Sequence, residues 1–144
     1  MSDDTKISYA LNQIIAPKSS FIDLINLAKS AGVLAIEIRN DIPVNLIEEN
    51  KPKIIKTLSE SNSIKILTVN ALQKFNLWNE ERLNELVELC KFSSLAGVEA
   101  IVLVPLNDGS VTDDIEQREL LGNSLKEIVK VLRDFDLLGY VEPL

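Results

Sequence analysis

The sequence of 144 residues predicts an α/β fold in which five parallel strands alternate with four helices. Three observations predict it. Short apolar runs alternate with amphipathic stretches, a Gly or Asn recurs between each helix and the next strand, and the strands have one apolar face. Strict alternation of strands and helices is typical of βαβ crossovers, which produce a parallel sheet.

The predicted strands are rich in Ile, Val and Leu and cover residues 6–12, 33–39, 64–70, 99–105 and 139–144. The predicted helices show helical spacing of apolar residues and cover 18–31, 51–61, 80–96 and 113–135. Asn79 precedes two acidic residues and is expected to cap the third helix. Left-handed residues after the helices are expected at Gly32, Asn62, Gly97 and Gly139.

The faces of the strands favour a closed barrel over an open sheet. In the second strand Leu34, Ile36 and Ile38 share an apolar face, and the opposite face is formed by Ala35, Glu37 and Arg39. In the third strand one face is expected to hold Ile66, Thr68 and Asn70. An open sheet covered by helices on both sides would need two apolar faces. The polar faces therefore predict a barrel with functional groups at its carboxyl rim.

The last apolar run, 139–144, leads us to expect that the chain stops within a buried strand, whose backbone groups then lack partners on one side. Residues 1–144 are accordingly expected to be one partial domain, the truncated N-terminal half of a (β/α)8 TIM barrel that ends within strand five.

Composition excludes several classes of function. The net charge is −7 and no basic stripe is present, so we expect no nucleic-acid partner. No apolar run is long enough to span a bilayer and the N-terminus is not a signal peptide, so we expect no membrane partner and a cytoplasmic location. Cys90, the single cysteine, is expected to be a core residue. The absence of His excludes a Ser-His or Cys-His catalytic device within the chain.

Polar residues at the strand ends are expected to ring one mouth of the barrel, and they are Asn12, Glu37, Arg39, Asn70, Asn107, Asp108 and Glu142. Glu37 and Arg39 are expected to neutralise each other, because an unpaired buried charge is costly. The alternative for Arg39 is contact with a substrate hydroxyl or phosphate. Asn12 and Asn70 could bind a polyol or serve turn chemistry.

Two other candidates have structural alternatives. Trp78 could form a wall for a ring-shaped substrate or pack against the following helix. The segment 105–109 is predicted to be a plain turn, with Asp108 as an alternative metal ligand.

Glu142 lies between Val141 and Pro143, so its carboxylate is expected in a mostly apolar setting. Such a group needs a metal, an Arg or a proton to compensate it, and the chain supplies no visible partner. Carboxylates at strand ends are typical ligands of hard metals, so Glu142 is predicted to bind one.

Five segments, taken in order, resemble the xylose-isomerase-like TIM barrels of the sugar phosphate isomerase/epimerase family, and most of all their inosose (keto-inositol) isomerase branch. They are YALN at 9–12, IEIR at 36–39, LTVNAL at 67–72, VLVP at 102–105 and YVEP at 140–143. The resemblance covers the whole chain but about half of a family member. The apurinic-site endonuclease branch and xylose isomerase proper use a His in their first half, which this chain lacks.

The resemblance implies proton transfer next to a carbonyl, assisted by a divalent metal (Mn, Mg, Zn or Co) in the full-length parent. Glu142 matches the first metal ligand and can itself be a catalytic base. The other ligands, an Asp or Glu, a His and a Glu, would lie beyond Leu144. A small polyol or keto-sugar substrate would contact Asn12, Glu37, Arg39, Asn70 and Trp78.

Three hypotheses stay open. The chain is a fragment of a metal-dependent sugar or inositol isomerase, and alone it neither holds a metal tightly nor isomerises a sugar. Alternatively, it is a non-catalytic half-barrel that assembles as a homo-oligomer or with a complementing C-terminal half. The third hypothesis is an open α/β domain that binds a small molecule. Because the strand edges would be exposed, an isolated fragment is expected to dimerise, aggregate or fluctuate.

Overall fold

The computed structural model describes residues 8–106, 108–111 and 113–142. They form one five-stranded sheet, in which each strand pairs in parallel with the next along the chain. The strands are β1 (Leu11–Asn12), β2 (Ala35–Arg39), β3 (Lys65–Gln73), β4 (Ala100–Val104) and β5 (Leu138–Val141). The α-helices are α1 (Phe21–Ser30), α2 (Leu46–Glu49), α3 (Pro52–Ser61), α4 (Glu80–Ala96) and α5 (Asp114–Asp134).

This architecture confirms the predicted fold class, and β1 and β5 are the two edges of the open sheet in the described part of the chain. The limits of the elements differ in detail. β1 is shorter than predicted, because residues 8–10 are not in a strand, whereas residues 6, 7, 143 and 144 lie outside the described residues. β3 continues to Gln73, which pairs with Val104. The short helix α2 was not predicted, and Asn45 caps it.

The ends of the helices were predicted in part. Gly32 and Gly97 adopt the left-handed conformation, with φ of 68° and 74°. The prediction for Asn62 is wrong, because Ser63 has the positive φ while the Asn62 amide donates to the Leu58 carbonyl at 2.8 Å. Asn79 caps α4 as predicted, since its side chain accepts from the Arg82 N–H.

The prediction for Gly139 is also wrong, and packing explains its position. Gly139 lies inside β5, and Asp136 adopts the left-handed conformation before it. A Cβ atom on Gly139 would lie 2.8 Å from Leu132 Cδ1 and 3.1 Å from Leu103 Cδ1. A glycine at this position therefore lets α5 pack closely against β4 and β5.

The main core lies between the helices and one face of the sheet. Its fully buried members include Leu24, Ile36, Ile38, Ile55, Leu72, Leu86, Ile101 and Ile128. Cys90 is fully buried in it, as predicted, and burial raises the pKa of its thiol to about 12. No helix in the described part of the chain is long and apolar enough to cross a membrane.

The inner face is the opposite side of the sheet, where Ala71, Val102 and Val104 form a small cluster. The predicted faces of β3 are wrong at Ile66, which packs in the main core, whereas Thr68 bonds to Glu37 on the inner face. The reason is a register shift, because Ile36 pairs with Ile66 and the next residue, Glu37, pairs with Thr68. One extra residue in β3 reverses the side-chain alternation at that point.

Candidate functional site

A cavity of about 390 Å³ lies on the inner face of the sheet and receives side chains from all five strands. It is lined by Asn12, Glu37, Arg39, Asn70, Val102, Tyr140, Val141 and Glu142. The structure thus brings together five of the residues that the sequence predicts for the site. Parallel strands place residues at corresponding positions side by side, which explains the convergence.

Glu37 occupies the floor between three strands, and both of its carboxylate oxygens accept hydrogen bonds. Asn12 Nδ2 donates to Oε1, and Thr68 Oγ1 donates to Oε2. These contacts join β1, β2 and β3 across the inner face. Thr68 was not predicted as part of the site, although its alternation with Val69 was a signal that it faces inward.

Arg39 does not pair with Glu37, so the expected mutual neutralisation is wrong. Its Nε and Nη2 atoms donate to the two oxygens of Asp41, at 2.8 and 2.6 Å. Asp41 follows the strand by two residues and meets the guanidinium in a fork, whereas Glu37 is engaged by Asn12 and Thr68. The hydrogen bond from Asp41 raises the pKa of Arg39, burial opposes this, and Asp41, Glu37 and Glu142 add coulombic support.

Glu142 follows β5 at the rim of the cavity. The expected apolar setting is wrong, because Glu142 is exposed and its neighbours in the cavity are polar. The chain also supplies a partner for it, since Asn70 Nδ2 lies 3.4 Å from Glu142 Oε2.

Tyr140 lines the cavity below Glu142 and was not predicted, although it belongs to the same YVEP segment. Its hydroxyl donates to Glu99 Oε1 at 3.0 Å, and Glu99 also pairs with Lys65. The hydrogen bond from Lys65, and next that from Tyr140, lowers the pKa of Glu99. The hydrogen bond to Glu99 raises the pKa of Tyr140.

The remaining predicted residues lie elsewhere. Trp78 packs against the main core and is not among the residues that line the cavity, which favours its structural alternative. Asp108 borders a separate cavity of about 280 Å³, where its side chain accepts from the Ser110 N–H and closes a turn. Asn107 lies outside the described residues.

The described residues fit one position of a metal site but not a complete site. Glu142 is an accessible carboxylate, which is the ligand type that hard divalent metals prefer. Both oxygens of Glu37 are already hydrogen-bonded. Among the residues that the structure describes, no group of three or more His, Cys, Asp or Glu side chains could hold a metal ion.

No family model and no curated protein matches the chain. Solved structures do match it, and one is a xylose isomerase domain containing protein from Salmonella typhimurium LT2. Its TM-score is 0.85 at 29% identity, and the match covers 94% of this chain and 48% of that one.

Two further matches have lower identity. The IolI protein, crystallised with a zinc atom, has a TM-score of 0.81 at 20% identity, covering 94% of this chain and 51% of that one. The 3-keto-D-glucoside 4-epimerase YcjR from E. coli has a TM-score of 0.72 at 18% identity, covering 96% and 57%. The chain spans about half the length of these structures. The predicted resemblance is therefore confirmed, and the chain has the fold of the N-terminal half of a xylose isomerase-like TIM barrel.

Proposed function

We propose that the chain supplies the first half of the active site of an isomerase or epimerase that moves a proton next to a carbonyl in a sugar or inositol. The observation that carries the proposal is the convergence of Asn12, Glu37, Arg39, Asn70 and Glu142 on one inner cavity. The structural matches support the reaction class, because one of them is a 3-keto-D-glucoside 4-epimerase.

The charges in the cavity favour an uncharged polyhydroxy substrate over a phosphorylated one. Glu37 and Glu142 contribute two carboxylates, whereas Asp41 balances the charge of Arg39. Such a surface repels phosphate, and the amides of Asn12 and Asn70 suit hydroxyl groups. A keto-sugar or keto-inositol without a phosphate is the proposed substrate class.

Glu142 is the proposed catalytic base. Its carboxylate is exposed to the cavity, and no ion pair to it is present in the described part of the chain. It would take a proton from the carbon next to the carbonyl and return it to form the isomer or epimer. A divalent metal, when bound, would polarise the substrate oxygens, with Glu142 as one ligand and the others from outside the described residues.

The proposed active unit is a closed barrel. All four residues of β5 are exposed, which supports an unpaired edge that another strand can extend. Five strands leave three to be supplied in an eight-stranded barrel, whereas a second copy would bring five. We therefore favour a complementing C-terminal half, in the same or a separate chain, over a homo-oligomer. A non-catalytic half-barrel with the same exposed edge is the alternative function.

Proton exchange tests the reaction class across the whole proposed substrate class at once. The protein, purified in its native assembly with Mn²⁺, is incubated in D2O with a panel of ketoses and inososes, and ¹H NMR follows loss of the proton next to the carbonyl. We expect exchange for the unmodified protein and a loss of about 10²- to 10⁴-fold for Glu142→Gln. Glu48→Gln, which removes an exposed carboxylate on α2, is the matched control. Absence of exchange across the panel, with an intact assembly, would favour the non-catalytic alternative.

A further inference from the structure

We propose that Asn40 and Asn70 form an amide relay that positions Glu142, and that the amide of Asn70 serves this purpose at a cost in stability. The hydrogen bonds of the relay are independent of any activity, whereas its effect on turnover rests on the proposed function.

The first step of the relay is a clamp on the backbone of β3. Asn40 follows the last residue of β2, and its N–H donates to the Asn70 carbonyl at 2.9 Å. Its side-chain Nδ2 donates to the Ala71 carbonyl at 3.0 Å, and its Oδ1 accepts from the Ala71 N–H at 2.7 Å. The Asn40 amide thus replaces a neighbouring strand where β2 has ended. These three bonds fix the backbone from which the Asn70 side chain projects.

The second step is the buried side chain of Asn70, which is 4% exposed. Its Nδ2 donates to Glu142 Oε2 at 3.4 Å, whereas its Oδ1 is buried without a partner in the described part of the chain. A buried polar atom without a partner destabilises the folded state, so packing does not explain an amide at this position. A Leu side chain of similar size would fill the same space without that cost.

The third step is the dependence of Glu142 on this contact. Glu142 is exposed, and its only side-chain hydrogen bond among the described residues comes from Asn70. A flexible exposed carboxylate has many rotamers, and one donor from a buried, clamped amide restricts them. Asn70 is therefore a positioning residue in this proposal, and Asn40 positions it in turn.

The hydrogen bond is tested by NMR on the ligand-free protein in its native assembly. The ¹H and ¹⁵N resonances of the Asn70 side-chain amide are compared between the unmodified protein, Glu142→Gln and Glu37→Gln. The second variant is matched, because it removes a charge from the same cavity but from a carboxylate held by other residues. We expect the Asn70 resonances to move in Glu142→Gln and to stay in place in Glu37→Gln. Unchanged resonances in Glu142→Gln would overturn the proposal.

The cost in stability is tested with Asn70→Leu. We expect a melting temperature equal to or above that of the unmodified protein, together with a fall in the exchange rate constant of about 10- to 100-fold at unchanged KM. A fall in melting temperature would show that Asn70 is structural and would overturn the proposal. Because the NMR shift and the melting temperature require no turnover, they hold or fail separately from the proposed function.

The clamp is tested with Asn40→Ala, and Asn50→Ala is its control. Asn50 Nδ2 donates to the Leu46 carbonyl, so this control removes a comparable amide-to-backbone contact far from the relay. We expect the Asn70 amide resonances to move toward their Glu142→Gln positions in Asn40→Ala and not in Asn50→Ala. The same resonances in both variants would exclude Asn40 from the relay.

Discussion

Arg39 binds Asp41 through two parallel hydrogen bonds, at 2.8 and 2.6 Å, although Glu37 lies two residues before it on the same strand face. The pairing leaves Glu37 to Asn12 and Thr68. It also neutralises the cation that borders the cavity, so Glu37 and Glu142 dominate the charge there.

Replacing Asp41 by Asn should therefore change the anion preference of the cavity. Asp41→Asn releases the positive charge of Arg39, and we expect inorganic phosphate to bind more tightly at low ionic strength than it does to the unmodified protein. Stability should change by only about 0–1 kcal/mol, because the pair is partly exposed. Isothermal titration calorimetry measures the binding. Asp134→Asn, an exposed site at the end of α5, removes the same charge elsewhere and should leave phosphate binding unchanged.

The cluster of Lys65, Glu99 and Tyr140 should make stability depend on pH at both ends of the range. Because Lys65 lowers the pKa of Glu99 in the folded state, its contribution is present above the ordinary pKa of 4.5 and is lost as pH falls through the lowered value. Because Glu99 raises the pKa of Tyr140, that contribution is present below 10.0 and is lost as pH rises through the raised value.

Urea unfolding across pH measures these contributions. Glu99→Gln should be less stable than the unmodified protein at neutral pH, and the difference should vanish in acid. Tyr140→Phe should be less stable at neutral pH, and the difference should shrink in alkali. A constant difference across the whole range would contradict the assignment of both contacts.

The Cys90 thiol should be inert in the folded protein. It is fully buried, and burial raises its pKa to about 12, so little thiolate forms at pH 8. We expect labelling by a thiol reagent to follow unfolding as denaturant is added. Ser94→Cys places an exposed thiol on the same helix, and that thiol should react at once. Rapid labelling of Cys90 without denaturant would show that α4 opens easily.

Gly139→Ala should destabilise the protein, and Gly122→Ala should do the opposite. The added methyl group at residue 139 would clash with Leu132 and Leu103, and such overpacking costs about 1–3 kcal/mol. Gly122 lies within α5 with no heavy atom within 4 Å of an added Cβ, so Ala there should stabilise by about 0.5–1 kcal/mol. Unfolding by urea compares the two variants, and equal effects would contradict the close approach of α5 to β5.

Local sequence patterns were enough to predict the alternation of strands and helices, the cap at Asn79 and the burial of Cys90. These features depend on residues within a few positions of each other, where periodicity and capping chemistry act. The left-handed residues were predicted less well, because Gly139 is required by contacts with Leu132 and Leu103 rather than by the end of its own helix.

The sequence by itself determined that polar side chains follow apolar strands, and it named five residues of the cavity. Only the tertiary structure decided their partners. The register shift in β3 places Thr68 beside Glu37, and the meeting of Asn70 with Glu142 joins residues 72 positions apart. The physical reason is that periodicity assigns a side chain to a face of the sheet, whereas its partner depends on the register between strands that are distant in sequence.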